Sequence, residues 1–184
     1  MPSTAQFSNL LDALTTVDDA QAAFRQIDTF RQLLTGPGIC SINLNVTTRD
    51  VPRNEIRLRR LFSSLGEVFP VEGAKRKTRT PWTETLFLRG EIFVSEGAQV
   101  LERTFDDYAL MRPLGLEAAV NVPLMQGRRC YATFNVFSQR QRWLPEEVAN
   151  LRLLALTAAR WVDPHPGLDY AFDPVPQPAA IRAA

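Results

Sequence analysis

Three asparagines carry most of the chemistry legible in this sequence. Asn43, Asn121 and Asn135 each sit in a β-prone run in which polar and apolar residues alternate. On the first run Ser41, Asn43 and Asn45 share a face; on the second, Ala119, Asn121 and Pro123; on the third, Tyr131, Thr133, Asn135 and Phe137. The opposite faces are apolar: Cys40, Ile42 and Leu44; Ala118, Val120 and Val122; Cys130, Ala132, Phe134 and Val136. An amide donates and accepts, so amides among apolar walls suit a pocket for a neutral polar ligand. The same amides could cap loops, pair with backbone or face water. Trp82, Phe87, Tyr108 and Thr133 complete the candidate ligand-binding set. Trp82 could close one end of the pocket or anchor a short helix. Lys75 and Arg79 could meet an anion or lie in a solvated loop.

Catalytic chemistry has little to build on. The single histidine, His165, lies in a Pro-rich tail, so triads and His-containing metal sites lack a centre. Adjacent Asp106 and Asp107 would point apart on a helix. Neither Cys-x-x-Cys, a Walker-type loop nor a dinucleotide fingerprint occurs. No catalytic residue, no metal ligand and no cofactor can be assigned.

The elements that must position these residues read as one domain. The chain has 184 residues, enough for a single core. Lys plus Arg (21) nearly equals Asp plus Glu (20), so no bulk field favours nucleic acid or an anionic membrane. The run Lys75-Arg76-Lys77 is the local exception. No stretch is apolar enough to span a bilayer, and the N-terminus lacks a signal-peptide pattern, so a cytoplasmic protein is expected. Two cysteines make no disulfide framework.

Ser3-Thr4-Ala5-Gln6 has capping-box spacing, and Phe7, Leu10, Leu11 and Leu14 follow at helical spacing. A second helix starts after Thr16-Val17-Asp18-Asp19 and stops at Gly36-Pro37-Gly38. Strands are expected at Ile39 to Val46 and Ile56 to Phe62, paired as a hairpin, then a long loop from Ser63 to Thr80. A short helix over Pro81 to Leu88, a strand at Glu91 to Ser95 and a helix through Leu101, Phe105, Tyr108 and Ala109 follow. Two strands and a helix opening at Pro145 end the domain near residue 162. Beyond it Pro164, Pro166, Pro174, Pro176 and Pro178 predict an extended or disordered tail over 163–184, which Trp161, Tyr170 and Phe172 could pin in part.

From about residue 16 to 162 the chain resembles a GAF domain, and in particular bacterial stand-alone GAF-domain proteins of unassigned ligand. The resemblance rests on Arg60-Leu61-Phe62-Ser63-Ser64, Phe69 to Lys75, Pro81-Trp82, Phe105-Asp106-Asp107, Leu114-Gly115, Asn121 to Leu124, Gly127 and Ala132 to Asn135. It implies an α+β, profilin-like fold: a central antiparallel sheet of five or six strands, N- and C-terminal helices on one face, and pocket-forming loops and short helices on the other. It also implies a small-molecule sensing or regulatory domain. Bilin-binding members use a thiol in pocket-forming helices, whereas Cys40 and Cys130 lie in expected strands. Haem-binding members need an axial ligand such as His, which the domain body lacks. The usual fifth-strand Gly is replaced by Ala132.

Three readings follow: a sensor acting through a dimer or partner protein, a protein-interaction or dimerisation module with no ligand, and an enzyme on this scaffold. In 184 residues no attached output domain is expected. The apolar stripes of the terminal helices, with a 1–15 helical extension, exceed one sheet face, so a homodimer is expected. Neither nucleic acid nor membrane is expected as a partner. Cys40 and Cys130 are expected to be free thiols, both on the apolar side of their strands.

Overall fold

The structure, a computed structural model, describes residues 4–172. Among them six strands form one antiparallel sheet: β1 (Gly38–Asn45), β2 (Glu55–Ser63), β3 (Ala74–Thr78), β4 (Phe93–Glu96), β5 (Ala118–Gln126) and β6 (Arg129–Ser138). Their order is β3-β2-β1-β6-β5-β4, so the three asparagine-bearing strands are neighbours at the centre. Register places Asn121 opposite Asn135. Ser41 faces Asn135 and Asn43 faces Thr133 across the other side of β6.

Three helices cover one sheet face: α1 (Thr4–Leu14), α2 (Ala20–Thr35) and α6 (Pro145–Ala158). The capping residue Ser3 lies outside the described residues. α2 starts where the sequence suggests, because the Asp19 carboxylate accepts from Ala22 N–H at 2.7 Å. It stops at Gly36 (φ 75°), whose N–H closes on the Gln32 carbonyl. The buried core on this side joins Leu14, Phe24 and Ile27 to Ile42, Val120, Phe134 and Leu154. β1 can lie close against β6 only because Gly38 has no side chain: a Cβ there would stand 2.1 Å from the Phe137 carbonyl oxygen.

The other face carries a second core, including Leu58, Phe69, Trp82, Leu86, Phe105 and Phe137. It is covered by α3 (Pro81–Thr83), which continues as a π-helical turn over Glu84–Arg89, and by α4 (Ala98–Thr104) and α5 (Tyr108–Met111).

Four expectations need correction. The stretch Ser63 to Thr80 is not all loop: its polar alternation over 74–78 makes β3, a charged edge strand paired with β2. The fourth strand sits slightly later, at Phe93–Glu96. The expected helix through Leu101 and Ala109 is two helices, broken at Phe105 (φ −116°, ψ 119°). In β6 the register shifts where Met125 meets Cys130, and this bulge turns the strand's first residues over. Cys130 therefore joins the pocket-side core and Tyr131 the helix-side core, the reverse of the simple alternation.

The tail carries no helix or strand as far as it is described and bends at a turn where Leu168 N–H donates to the His165 carbonyl. Asp169 N–H donates to the Thr47 carbonyl, and Tyr170 and Phe172 pack on the pocket-side core. Pro174, Pro176 and Pro178 lie outside the described residues.

Both cysteines are free and buried, on opposite faces of the sheet. Burial pushes both thiols well above their ordinary range. The thiolate is the reacting form, so neither should be labelled by Ellman's reagent at pH 8 in the native protein, and both should react in denaturant. Rapid native labelling of the pair would contradict this placement.

Candidate functional site

The central strands present their amides to the second face, and the helical turn after β3 meets them there. Thr80 caps α3 through mutual bonds with Thr83, and Pro81 takes the first turn. That places Trp82 over the sheet, where its Nε1–H donates to Asn121 Oδ1 at 3.1 Å. Asn121 Nδ2 donates to Asn135 Oδ1 at 2.8 Å. Asn135 Nδ2 then donates to Thr133 Oγ1 at 3.1 Å and to the Ser41 carbonyl at 3.3 Å. The relay satisfies one another's buried polar groups, and that fixes the rotamers. Asn43 stands outside it. Its side chain makes no hydrogen bond among the described residues, yet it is only 8% exposed and lines a cavity.

The cavity's other end is ionic. β2 alternates so that Ile56, Leu58 and Arg60 face inward. Arg60 Nη1 donates to the Pro70 carbonyl at 3.0 Å, and its guanidinium lies over the Phe69 ring at 5.5 Å. Nη2 is 4.0 Å from Asp107 Oδ2. β3 turns Lys75 and Lys77 inward, where Lys75 pairs with Asp107 and Lys77 with Asp106. Burial lowers the pKa of Arg60 and of Lys75, and the nearby Asp107 only partly opposes this. Burial alone would raise the Asp107 pKa, but the charge and hydrogen bond of Lys75, with a backbone hydrogen bond and the Lys77 charge, together make the net shift downward. Arg60 Nε and Asp107 Oδ1 are buried with no partner.

Leu58, Phe69, Trp82, Phe105 and Phe137 wall the space between these ends. Its free volume is about 30 Å³, room for roughly one or two waters. Among the described residues no group of His, Cys, Asp and Glu could hold a metal ion.

A family model described as the GAF domain matches residues 19–160. The chain belongs to the GAF family. GAF domains are sensory and regulatory domains of sensor kinases and phytochromes. Solved structures with this fold include the chromophore-binding domain of an unusual bacteriophytochrome from R. palustris, at 11% identity and TM-score 0.58. The alignment covers 87% of this chain but only 62% of that one. The GAF domain of a two-component sensor histidine kinase from Bacillus halodurans aligns at 13% identity and TM-score 0.58, over 79% of this chain and 92% of that one. A GAF domain/HD domain protein from Geobacter sulfurreducens aligns at 14% identity and TM-score 0.58, covering 78% and 91%. No curated protein matches the chain. At these identities the structural likeness speaks to the fold alone.

Within this GAF domain the seven candidate residues divide. Asn43, Trp82, Asn121 and Asn135 line the cavity. Thr133, Phe87 and Tyr108 are not among its lining residues. Thr133 is fully buried behind Asn135, and Phe87 packs edge-on against Trp82 and Tyr170. Tyr108 is partly buried against the pocket-side core. Alternation on the three central runs does not point to Arg60 or Asp107, which also line the cavity. Arg60 could have been found by extending the alternation to β2, where Ile56, Leu58 and Arg60 share a parity. Asp107 reaches the cavity because 105–107 is a break between helices, for which only Phe105-Asp106-Asp107 itself was a signal. Arg79 does not line the cavity: it pairs with Glu84 at 2.6 Å.

Proposed function

We propose that this GAF domain senses a small molecule in the cavity between Asn43 and Arg60 and reports occupancy through a cytoplasmic homodimer built on its terminal helices. The observation that carries the pocket is the Asn43 amide, which lines the cavity at 8% exposure with no side-chain hydrogen bond among the described residues, so its donors and acceptor are free to meet a ligand. The dimer is supported by apolar residues left outward on the same helices that cover the sheet: Leu11 on α1, Leu33 on α2 (64% exposed), Leu153 and Leu156 on α6. Binding that shifts the sheet would shift helices packed on its back.

The small free volume favours a second reading, an interaction module whose pocket stays closed. A thermal-shift screen of small polar metabolites separates the two. A true ligand at a hundred times its Kd adds about 2.7 kcal/mol of apparent stability, about 5–10 °C for a domain this size, and Asn43→Ala should erase most of that shift. No stabilising compound, together with an Asn43→Leu variant more stable than wild type, would favour the closed module. Light scattering at micromolar concentration tests the dimer. A monomer at that concentration would sink it.

A further inference from the structure

The ionic end of the cavity is unevenly matched, and the mismatch has a shape. Arg60, Lys75 and Lys77 line it against a single carboxylate, Asp107. Lys77 is partly answered from the rim by Asp106, which is 81% exposed. Arg60 is 6% exposed and held from two sides, by the Pro70 carbonyl on Nη1 and by the Phe69 ring beneath its plane. Its Nε has no partner, and its Nη2 stands 4.0 Å from the nearest carboxylate oxygen, beyond hydrogen-bond reach. The Nε–Nη2 edge can grip a carboxylate with two parallel bonds. That edge is therefore fixed, buried and open. Asp107 does not fill it: Oδ2 goes to Lys75 and Oδ1 is buried without a partner.

A second space lies outside. A surface depression of about 250 Å³ is lined by Lys75, Arg76, Lys77, Asp106 and Asp107. Lys75, Lys77 and Asp107 belong to both spaces, so they form the partition between them. The partition is held at Asp106 and Asp107 by ion pairs to β3, on a segment outside any helix.

We propose that the ligand of this pocket is a small organic carboxylate on an apolar body, whose anionic group displaces the Asp107 carboxylate and takes the open edge of Arg60. The inference rests on the pocket reading above. Asp107 competes with the ligand for Lys75 and for space: when it swings toward the outer depression, the inner cavity gains the room a ligand needs. Lys75 changes partner from Asp107 to the incoming anion. The apolar body lies among Leu58, Phe105 and Phe137, and the Asn43 amide meets a polar atom at its far end. A carboxylate is favoured over a phosphate because the group being replaced is a carboxylate and the walls beyond it are apolar.

Benzoate, benzamide and inorganic phosphate are the probes, and the readouts are thermal shift and the Trp82 indole resonance. Benzoate should bind at least tenfold tighter than benzamide and should move Trp82. Phosphate alone should move neither. Asp107→Asn removes the internal competitor and should tighten benzoate at least fivefold. Arg60→Gln should abolish the preference for benzoate over benzamide. If Arg60→Gln fails to fold, Lys75→Gln should reduce that preference by at least threefold. Equal binding of benzoate and benzamide, or weaker benzoate binding by Asp107→Asn, overturns the carboxylate class while leaving the pocket standing. Phosphate matching benzoate also overturns it. Failure of benzoate to move Trp82, in wild type and in Asp107→Asn alike, overturns the carboxylate class, while the metabolite screen and Asn43→Leu decide the pocket reading separately.

Discussion

Replacing Arg31 with methionine is expected to destabilise the domain by about 3–5 kcal/mol, the cost of breaking a buried ion pair from one side. Arg31 is fully buried near the end of α2. Its Nε and Nη2 both donate to Asp28 Oδ1, at 2.9 and 2.7 Å. Nη1 donates to the Gly36 carbonyl at 2.9 Å and Nη2 to the Gly38 carbonyl at 3.2 Å. One guanidinium thus ties the helix to the turn that launches β1. Methionine fills similar volume, so the loss isolates the polar part: a buried carboxylate with only Gln32 left as donor, and two carbonyls unpaired. Adding Asp28→Leu should recover about half, because the carbonyls remain orphaned. Urea unfolding measures both. A loss under about 1 kcal/mol for Arg31→Met would show that water replaces the guanidinium, and that the knot is not sealed.

The second large effect is expected at Asn121. Asn121→Ala leaves the Trp82 N–H and Asn135 Oδ1 without partners in a fully buried place. Each orphaned group costs about 1–3 kcal/mol, so a loss near 3 kcal/mol is expected. The Trp82 indole proton should shift strongly in the NMR spectrum, as its acceptor is gone. Trp82→Phe removes the donor together with its need for an acceptor, so it should cost less than Asn121→Ala. The reverse order would mean that packing of the indole, and not the relay, holds the turn.

The central sheet was legible because period-two alternation survives wherever the ladder is regular. Asn43, Asn121 and Asn135 came out on one face, with Cys40, Ile42, Val120 and Phe134 behind them. The same logic failed at Cys130, because a bulge inserts a residue without leaving a turn signal in Arg128-Arg129-Cys130-Tyr131. It failed at Ala74–Thr78 because an edge strand facing water needs no apolar residue, and Lys75 and Lys77 bury their stems while reading as charge. Arg31 was invisible for a related reason. In sequence a helical arginine is a solvated one, and only the fold puts two carbonyls and a carboxylate around it. The amide relay shows a further limit. Alternation says which face an asparagine takes, but not whether its bonds are already spent, as they are at Asn121 and Asn135 and are not at Asn43.

The segment after α6 carries one more consequence. It leaves the helix side with Trp161 and reaches the opposite side of the sheet at Tyr170. There the tyrosine oxygen accepts from Cys130 N–H at 2.8 Å and donates to the Phe87 carbonyl at 3.1 Å. A single hydroxyl is thereby clamped between the sheet and the turn that carries Trp82. Displacing that turn must either drag Tyr170 along or break one of these bonds. By linkage, the work runs equally in both directions. A pull on the chain at Phe172 biases the Trp82 turn by the same free energy with which the turn biases the chain. The segment thus ties the Trp82 turn to residues 163–172 through one hydroxyl, a link separate from the helices on the other face.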